Sequence, residues 1–150
     1  MFPSTATLRA RAAAGFTLIE LLVVVAIIAI ASAGVAFVLR DSAGASLERE
    51  ALRLAALLES GRAQSRLSGQ PVRWIAGTAG FQFDGVPPGT LPDHWLKPET
   101  QVVGPGVLLL GPEPIIGPQA VVLTSVDQPE RSLRVATDGL RPFSVSAGTP

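Results

Sequence analysis

Side chains able to do chemistry are sparse in this chain, and their placement narrows what chemistry is available. Between Phe16 and Leu39 runs a 24-residue apolar stretch whose only ionisable residue is Glu20. A charged side chain placed in lipid costs roughly 3 kcal/mol, so Glu20 marks a functional position and needs a partner. The lone histidine, His94, follows Asp93. An Asp–His pair with a serine elsewhere is the raw material of a hydrolytic triad. No Gly-x-Ser-x-Gly elbow accompanies it, and adjacent residues rarely reach the required geometry, so His94 reads as a surface or packing residue. One histidine and no cysteine exclude the usual zinc ligand sets. The acids Asp84, Asp93, Glu99, Glu113, Asp127, Glu130 and Asp138 are scattered without calcium-loop spacing. No glycine pattern for a phosphate loop occurs. The sequence therefore predicts no catalytic residue, no cofactor and no metal, and the chain is not expected to be an enzyme.

The elements that would position Glu20 follow from hydropathy. Residues 1–15 are short and basic, with Arg9 and Arg11 and no acid, which favours retention on the cytoplasmic side. Without them ten basic and twelve acidic residues remain, a net charge of −2 in a chain balanced overall. As a helix, residues 16–39 are about 36 Å long, enough to cross a bilayer core of about 30 Å. Two plain readings of this stretch exist. One is a secretory signal cut after Ala31-Ser32-Ala33, for which the apolar run is long and Glu20 out of place. The other is a simple single-span anchor, which leaves Glu20 unexplained.

A third reading accounts for the acid. Gly15-Phe16-Thr17-Leu18-Ile19-Glu20, set between a basic leader and an unbroken apolar helix, resembles the processing site of the type IV pilin and pseudopilin superfamily. The resemblance implies cleavage between Gly15 and Phe16 by a prepilin peptidase, N-methylation of Phe16, and retention of the helix for assembly. Cleavage creates an α-amine at a helix start that already presents four unpaired N–H groups. A carboxylate one turn on suits that positive end. The i to i+4 spacing permits an intramolecular contact as well; the resemblance favours pairing of Glu20 with the amine of a neighbouring subunit. Small residues such as Ala26, Ala29, Ala33 and Gly34 would let helices approach closely, though alanine is also simply a good helix former.

Beyond Arg40 the pattern is that of a water-soluble domain. Leu47, Ala51, Leu54 and Leu58 form one stripe of an amphipathic helix covering 40–68, which Gly69 and Pro71 stop. Glu48, Arg49, Glu50, Arg53, Glu59 and Arg62 are expected on a solvated face, with Leu52 and Leu57 free to touch neighbouring subunits. From residue 71 the period changes to two. Strands are expected at 72–76 and 81–84 with a four-residue connection, at 101–103, 107–110 and 120–124, and at 133–137 and 140–145 around an Asp138-Gly139 turn. Trp95 and Leu96 would plug the Pro-rich loop 84–98. Trp74, Phe81, Phe83 and Trp95 are expected in the core, since no basic stripe surrounds them and no nucleic-acid partner is expected.

The expected fold is α+β: a long N-terminal hydrophobic helix, half transmembrane and half amphipathic, packed on an antiparallel β-sandwich-like head. The expected division is a cleaved leader at 1–15, a transmembrane and assembly helix at 16–39, its amphipathic continuation at 40–68, and a periplasmic β-rich head at 71–150. The Gly69-Gln70-Pro71-Val72-Arg73-Trp74 strand entry and the Thr137 to Val145 segment resemble, more loosely, the H-type minor pseudopilin of type II secretion. That likeness implies a single-pass protein of the bacterial inner membrane that joins other major and minor pseudopilins and the inner-membrane secretion platform. A minor pilin priming type IV pilus assembly carries nearly the same signature. A secreted or membrane-anchored enzyme or binding module is the remaining alternative.

Overall fold

The computed structural model describes residues 17–148, without the side chains of 33–43. The chain divides into two units, one ending at Phe37 and one beginning at Val38. Helix α1 (Leu18–Ser68) contributes to both. It runs without a break through Ser46. The helix stops where Gly69 follows, its N–H bonded to the Ser65 carbonyl at 2.9 Å.

Seven strands follow: β1 (Arg73–Ala76), β2 (Phe81–Asp84), β3 (Thr100–Val103), β4 (Val107–Leu109), β5 (Gln119–Ser125), β6 (Gln128–Thr137) and β7 (Ser144–Ala147). They form two antiparallel sheets, ordered β2-β1-β4 and β3-β5-β6-β7. The class is therefore α+β with antiparallel sheets. The four-residue β1–β2 connection is as expected. Val103 and Val107 flank one short Gly-Pro-Gly loop, yet their strands belong to different sheets.

The helix stripe is buried as its spacing predicts. Leu47, Ala51, Leu54 and Leu58 join Trp74, Phe81, Trp95, Leu108, Leu110, Val121, Leu123 and Val135 in one core. Each fully buried leucine contributes about 2 kcal/mol. Trp95 packs edge-on against Phe81 at 4.6 Å and against Trp74 at 6.4 Å. Leu96 does not join this plug; its side chain is exposed. Leu57 packs against the core, while Leu52 stays exposed.

Two expectations fail. The Asp138-Gly139 pair is not a two-residue hairpin turn. Asp138 Oδ1 accepts the N–H groups of Leu140 and Arg141 at 2.9 and 2.8 Å, which builds a wider loop. Those two bonds hold the Asp138 carboxyl below the usual carboxylate range. The strand beyond Pro142 begins only at Ser144 and forms a sheet edge, because proline cannot donate to a ladder. A tight two-residue turn lies instead at Val126-Asp127, between β5 and β6.

The second failure concerns the charged residues of α1. Glu50 is 1% exposed and Arg62 3%, so neither lies on a solvated face. Glu50 accepts the Leu96 N–H at 2.7 Å and pairs with Arg53, which donates to the His94 carbonyl at 3.0 Å. Glu59 accepts the Phe143 N–H at 3.0 Å, and Arg62 donates to the Gly139 carbonyl at 2.7 Å. The same Glu-x-x-Arg unit thus occurs twice, nine residues or about two and a half turns apart. The first unit ties down the β2–β3 connection, which passes from one sheet to the other, and the second the β6–β7 connection within the four-stranded sheet.

Gln119 links the two sheets. Its amide accepts from Leu109 N–H and donates to Leu109 C=O, both at 2.7 Å, as a strand neighbour would. Gln119→Leu removes both bonds and leaves the β4 edge to water. Amide exchange at Leu109 in the detergent-solubilised full chain should then quicken about tenfold, the equivalent of roughly 1.4 kcal/mol. Unchanged exchange would show that the link carries no stability.

Candidate processing and assembly site

Gly15 and Phe16, the expected processing residues, lie outside the described residues. The described residues begin at Thr17, immediately before the first turn of α1. Thr17 has a hydroxyl that can accept from the open end of the helix, and it does: Glu20 N–H points at Thr17 Oγ1, 3.3 Å away. The Thr17 carbonyl receives Glu20 N–H at 3.1 Å and Leu21 N–H at 3.2 Å. Thr17-x-x-Glu20 has the residue types and spacing of a capping box. The sequence carried this signal, and reading Glu20 only as an intramembrane acid passed over it. Capping here occupies the Glu20 backbone and not its carboxylate. Among the described residues nothing bonds the carboxylate.

The helix around Glu20 has no polar face to offer. Ten large apolar side chains between Leu18 and Ile30 are exposed. A helix apolar on every side needs lipid or other protein around it. Ser32 fits such surroundings because its hydroxyl donates to the Ile28 carbonyl of its own helix at 2.8 Å. Among the described residues no helix is long and apolar enough to cross a membrane. The end of the expected span, from Ala33 to Leu39, has no described side chains.

The other candidates assemble no chemistry. His94 is exposed and its Nδ1 lies 3.1 Å from Asp93 Oδ1. That hydrogen bond holds the Asp93 carboxyl below its ordinary range. A hollow of about 790 Å³ opens within the Pro-rich loop and is lined only by residues 82–94. Among the described residues no group of three or more His, Cys, Asp or Glu side chains is placed to hold a metal.

Residues 10–36 match the family model of the prokaryotic N-terminal methylation motif. No curated protein and no solved structure matches the chain. The motif spans Gly15, Phe16 and Glu20 and supports a type IV pilin-like protein, pseudopilin or pilin. It implies processing by a prepilin peptidase, anchoring in the inner membrane and assembly with other pilin-like subunits.

Proposed function

We propose that the chain is a minor pseudopilin of the H type, a non-enzymatic structural subunit of a type II secretion pseudopilus. In this reading the prepilin peptidase cuts between Gly15 and Phe16 and methylates the new N-terminus. The protein then joins the tip region of a short periplasmic fibre that moves folded proteins toward an outer-membrane channel. Its head faces the periplasm, and it contacts other pseudopilins and the inner-membrane platform. The observation that carries the reading is the methylation motif running into an apolar stretch whose one carboxylate, Glu20, has no bond among the described residues. The minor-subunit assignment rests further on the likeness of the Gly69–Trp74 and Thr137–Val145 segments noted above.

The test is the mature N-terminus. Mass spectrometry of the protein from its native membrane should find methylated Phe16. Gly15→Val should leave the leader attached. A terminus at Gly34 would indicate ordinary signal cleavage and an intact Met1 a plain anchor; either overturns the proposal. Loss of secretion on deleting the chain, with piliation intact, separates the secretion role from pilus priming.

A further inference from the structure

The strand registers fix which side chains share the outward face of the four-stranded sheet. Val121, Leu123 and Val135 point into the core. Their strand neighbours point the other way, because successive side chains of a strand alternate. Val103, Val122, Arg134 and Ser146 therefore form one row across β3, β5, β6 and β7. The rows on either side pair Thr124 with Ser132, and Ala136 with both Ala120 and Ser144. Among the described residues nothing covers the central row. Val103 is 47% exposed, Arg134 and Ser146 are exposed, and no member of the row belongs to the core.

Arg134 is the only charged side chain in these three rows, and the hydroxyls around it are turned back onto the sheet. Thr124 Oγ1 donates to the Arg131 carbonyl at 3.1 Å, Ser132 Oγ to the Gly148 carbonyl at 3.1 Å, and Ser144 Oγ to the Ala136 carbonyl at 3.5 Å. The face therefore shows more methyl and methylene surface than its residue types suggest. Arg73, on the outward face of the other sheet, pairs with Asp84. Arg134 has no such partner among the described residues. Glu130, on the same strand, stands about 13 Å back along it. In water the guanidinium needs no partner. Under an apolar or basic surface it would lose its hydration with nothing in return, so the face favours a partner that brings an acid.

Four strands about 4.8 Å apart and about five residues long give these rows a flat area of roughly 300 Å². A free-standing complex covers roughly 800 Å² on each partner. The face is thus too small to hold an unattached protein by itself. It suits a protein already kept close by a shared assembly, where the effective concentration is high. A second copy docked face to face about a twofold axis here would set Arg134 against Arg134, which like charges oppose. We propose that this face docks the head of a different pilin-like subunit, one that presents a carboxylate to Arg134 among short side chains. The inference rests on the assembly reading above and adds which face of the head meets a neighbour, and by what chemistry.

The test uses the full chain in its native membrane. A photoreactive benzophenone amino acid replaces Val122, or Gln82 on the outward face of the other sheet, or Ile27 in the apolar helix. Illumination should join the Val122 probe to another pilin-like subunit, at a segment that mass spectrometry maps to an Asp or Glu. The Gln82 probe should give far less of that adduct. Arg134→Glu should lower the Val122 yield about tenfold, and Arg134→Lys, which keeps the charge, about twofold. Neither change should alter the near-ultraviolet signals of Trp74 and Trp95 in the purified chain. Replacing the mapped acid of the partner by arginine should restore the yield of Arg134→Glu. An undiminished yield in Arg134→Glu overturns the contact. So does an adduct with a second copy of this chain or with a segment lacking acids, and so does the absence of a Val122 adduct where Ile27 gives one. If Ile27 gives none either, the assembly reading itself fails and the contact falls with it.

Discussion

Arg62→Ala should destabilise the head by about 4 kcal/mol, a large fraction of the 5–15 kcal/mol that holds a domain of this size together. Arg62 is the point where α1 grips two loops. Beyond Gly139, its guanidinium reaches the carbonyls of Arg141 and Pro114, both at 3.4 Å, and Glu59 at 3.7 Å. Hydrogen bonds to a charged donor are worth roughly 1.5–3 kcal/mol in total stabilisation when one dominates. The remainder comes from the buried stem of the side chain. Arg62→Met keeps most of the stem and loses the guanidinium, so it should cost about 2–3 kcal/mol. Arg66→Ala, an exposed change one turn on, should stay within about 0.5 kcal/mol. Denaturant unfolding of the full chain in one detergent, followed by near-ultraviolet signals of Trp74 and Trp95, measures all three. A methionine variant as stable as the parent would show that the guanidinium contributes nothing beyond its stem, which replacement of a buried charge by an apolar group permits.

The loop at Gly139 explains why Arg62 matters. Gly139 has φ of 92°, and a Cβ there would meet the Ile116 carbonyl oxygen at 1.8 Å. The loop at 138–143 is thus pressed against the one at 111–118, with Ile116 buried and Ile115 left outside. Two irregular segments packed this closely bring carbonyls into a site that water cannot fully serve. Arg62 supplies the donors.

Hydrophobic periodicity made the core side of α1 legible. Leu47, Ala51, Leu54 and Leu58 are buried because their spacing leaves them no other place once the sheets form. The strand positions through β5 were legible in the same way, whereas β6 begins at Gln128, five residues before its expected start, and β7 only at Ser144. The roles of Glu50 and Glu59 were not. Their partners are backbone N–H groups 46 and 84 residues away. A backbone donor leaves no mark in residue type, and Glu-x-x-Arg spacing suits a solvated ion pair equally well. The assignment of β3 and β4 to different sheets depends on long-range pairing and on the Gln119 link, neither of which local pattern reveals. The assembly site shows the reverse. Glu20 was conspicuous by charge alone, in a helix whose described neighbours are apolar on every side.

Glu20→Val should leave processing and membrane insertion intact and abolish assembly. The insertion half follows from solvation. Removing a carboxylate from an apolar helix relieves roughly 3 kcal/mol, so the variant should enter the membrane at least as well as the parent. The helix start should also survive, because its cap uses the Thr17 hydroxyl and the Glu20 backbone, which valine retains. What valine cannot supply is a charge to meet the α-amine that cleavage leaves on Phe16. An amine without a counter-charge in lipid is disfavoured by several kcal/mol, and removing one member of a buried pair costs roughly 3–5 kcal/mol. That range corresponds to a loss of about 10²–10³-fold or more in the assembled fraction. Glu20→Gln keeps the shape and acceptor oxygen but not the charge, and should fall nearly as far; Glu20→Asp keeps the charge one methylene short and should recover in part. The measurement is paired: mass spectrometry for methylated Phe16 in each variant, and crosslinking to neighbouring subunits in the membrane. Wild-type crosslinking by Glu20→Val would show that the carboxylate is not the partner of the amine. Full crosslinking by Glu20→Gln alone would place the interaction in a neutral hydrogen bond, the role that a capping box would give this residue within its own helix.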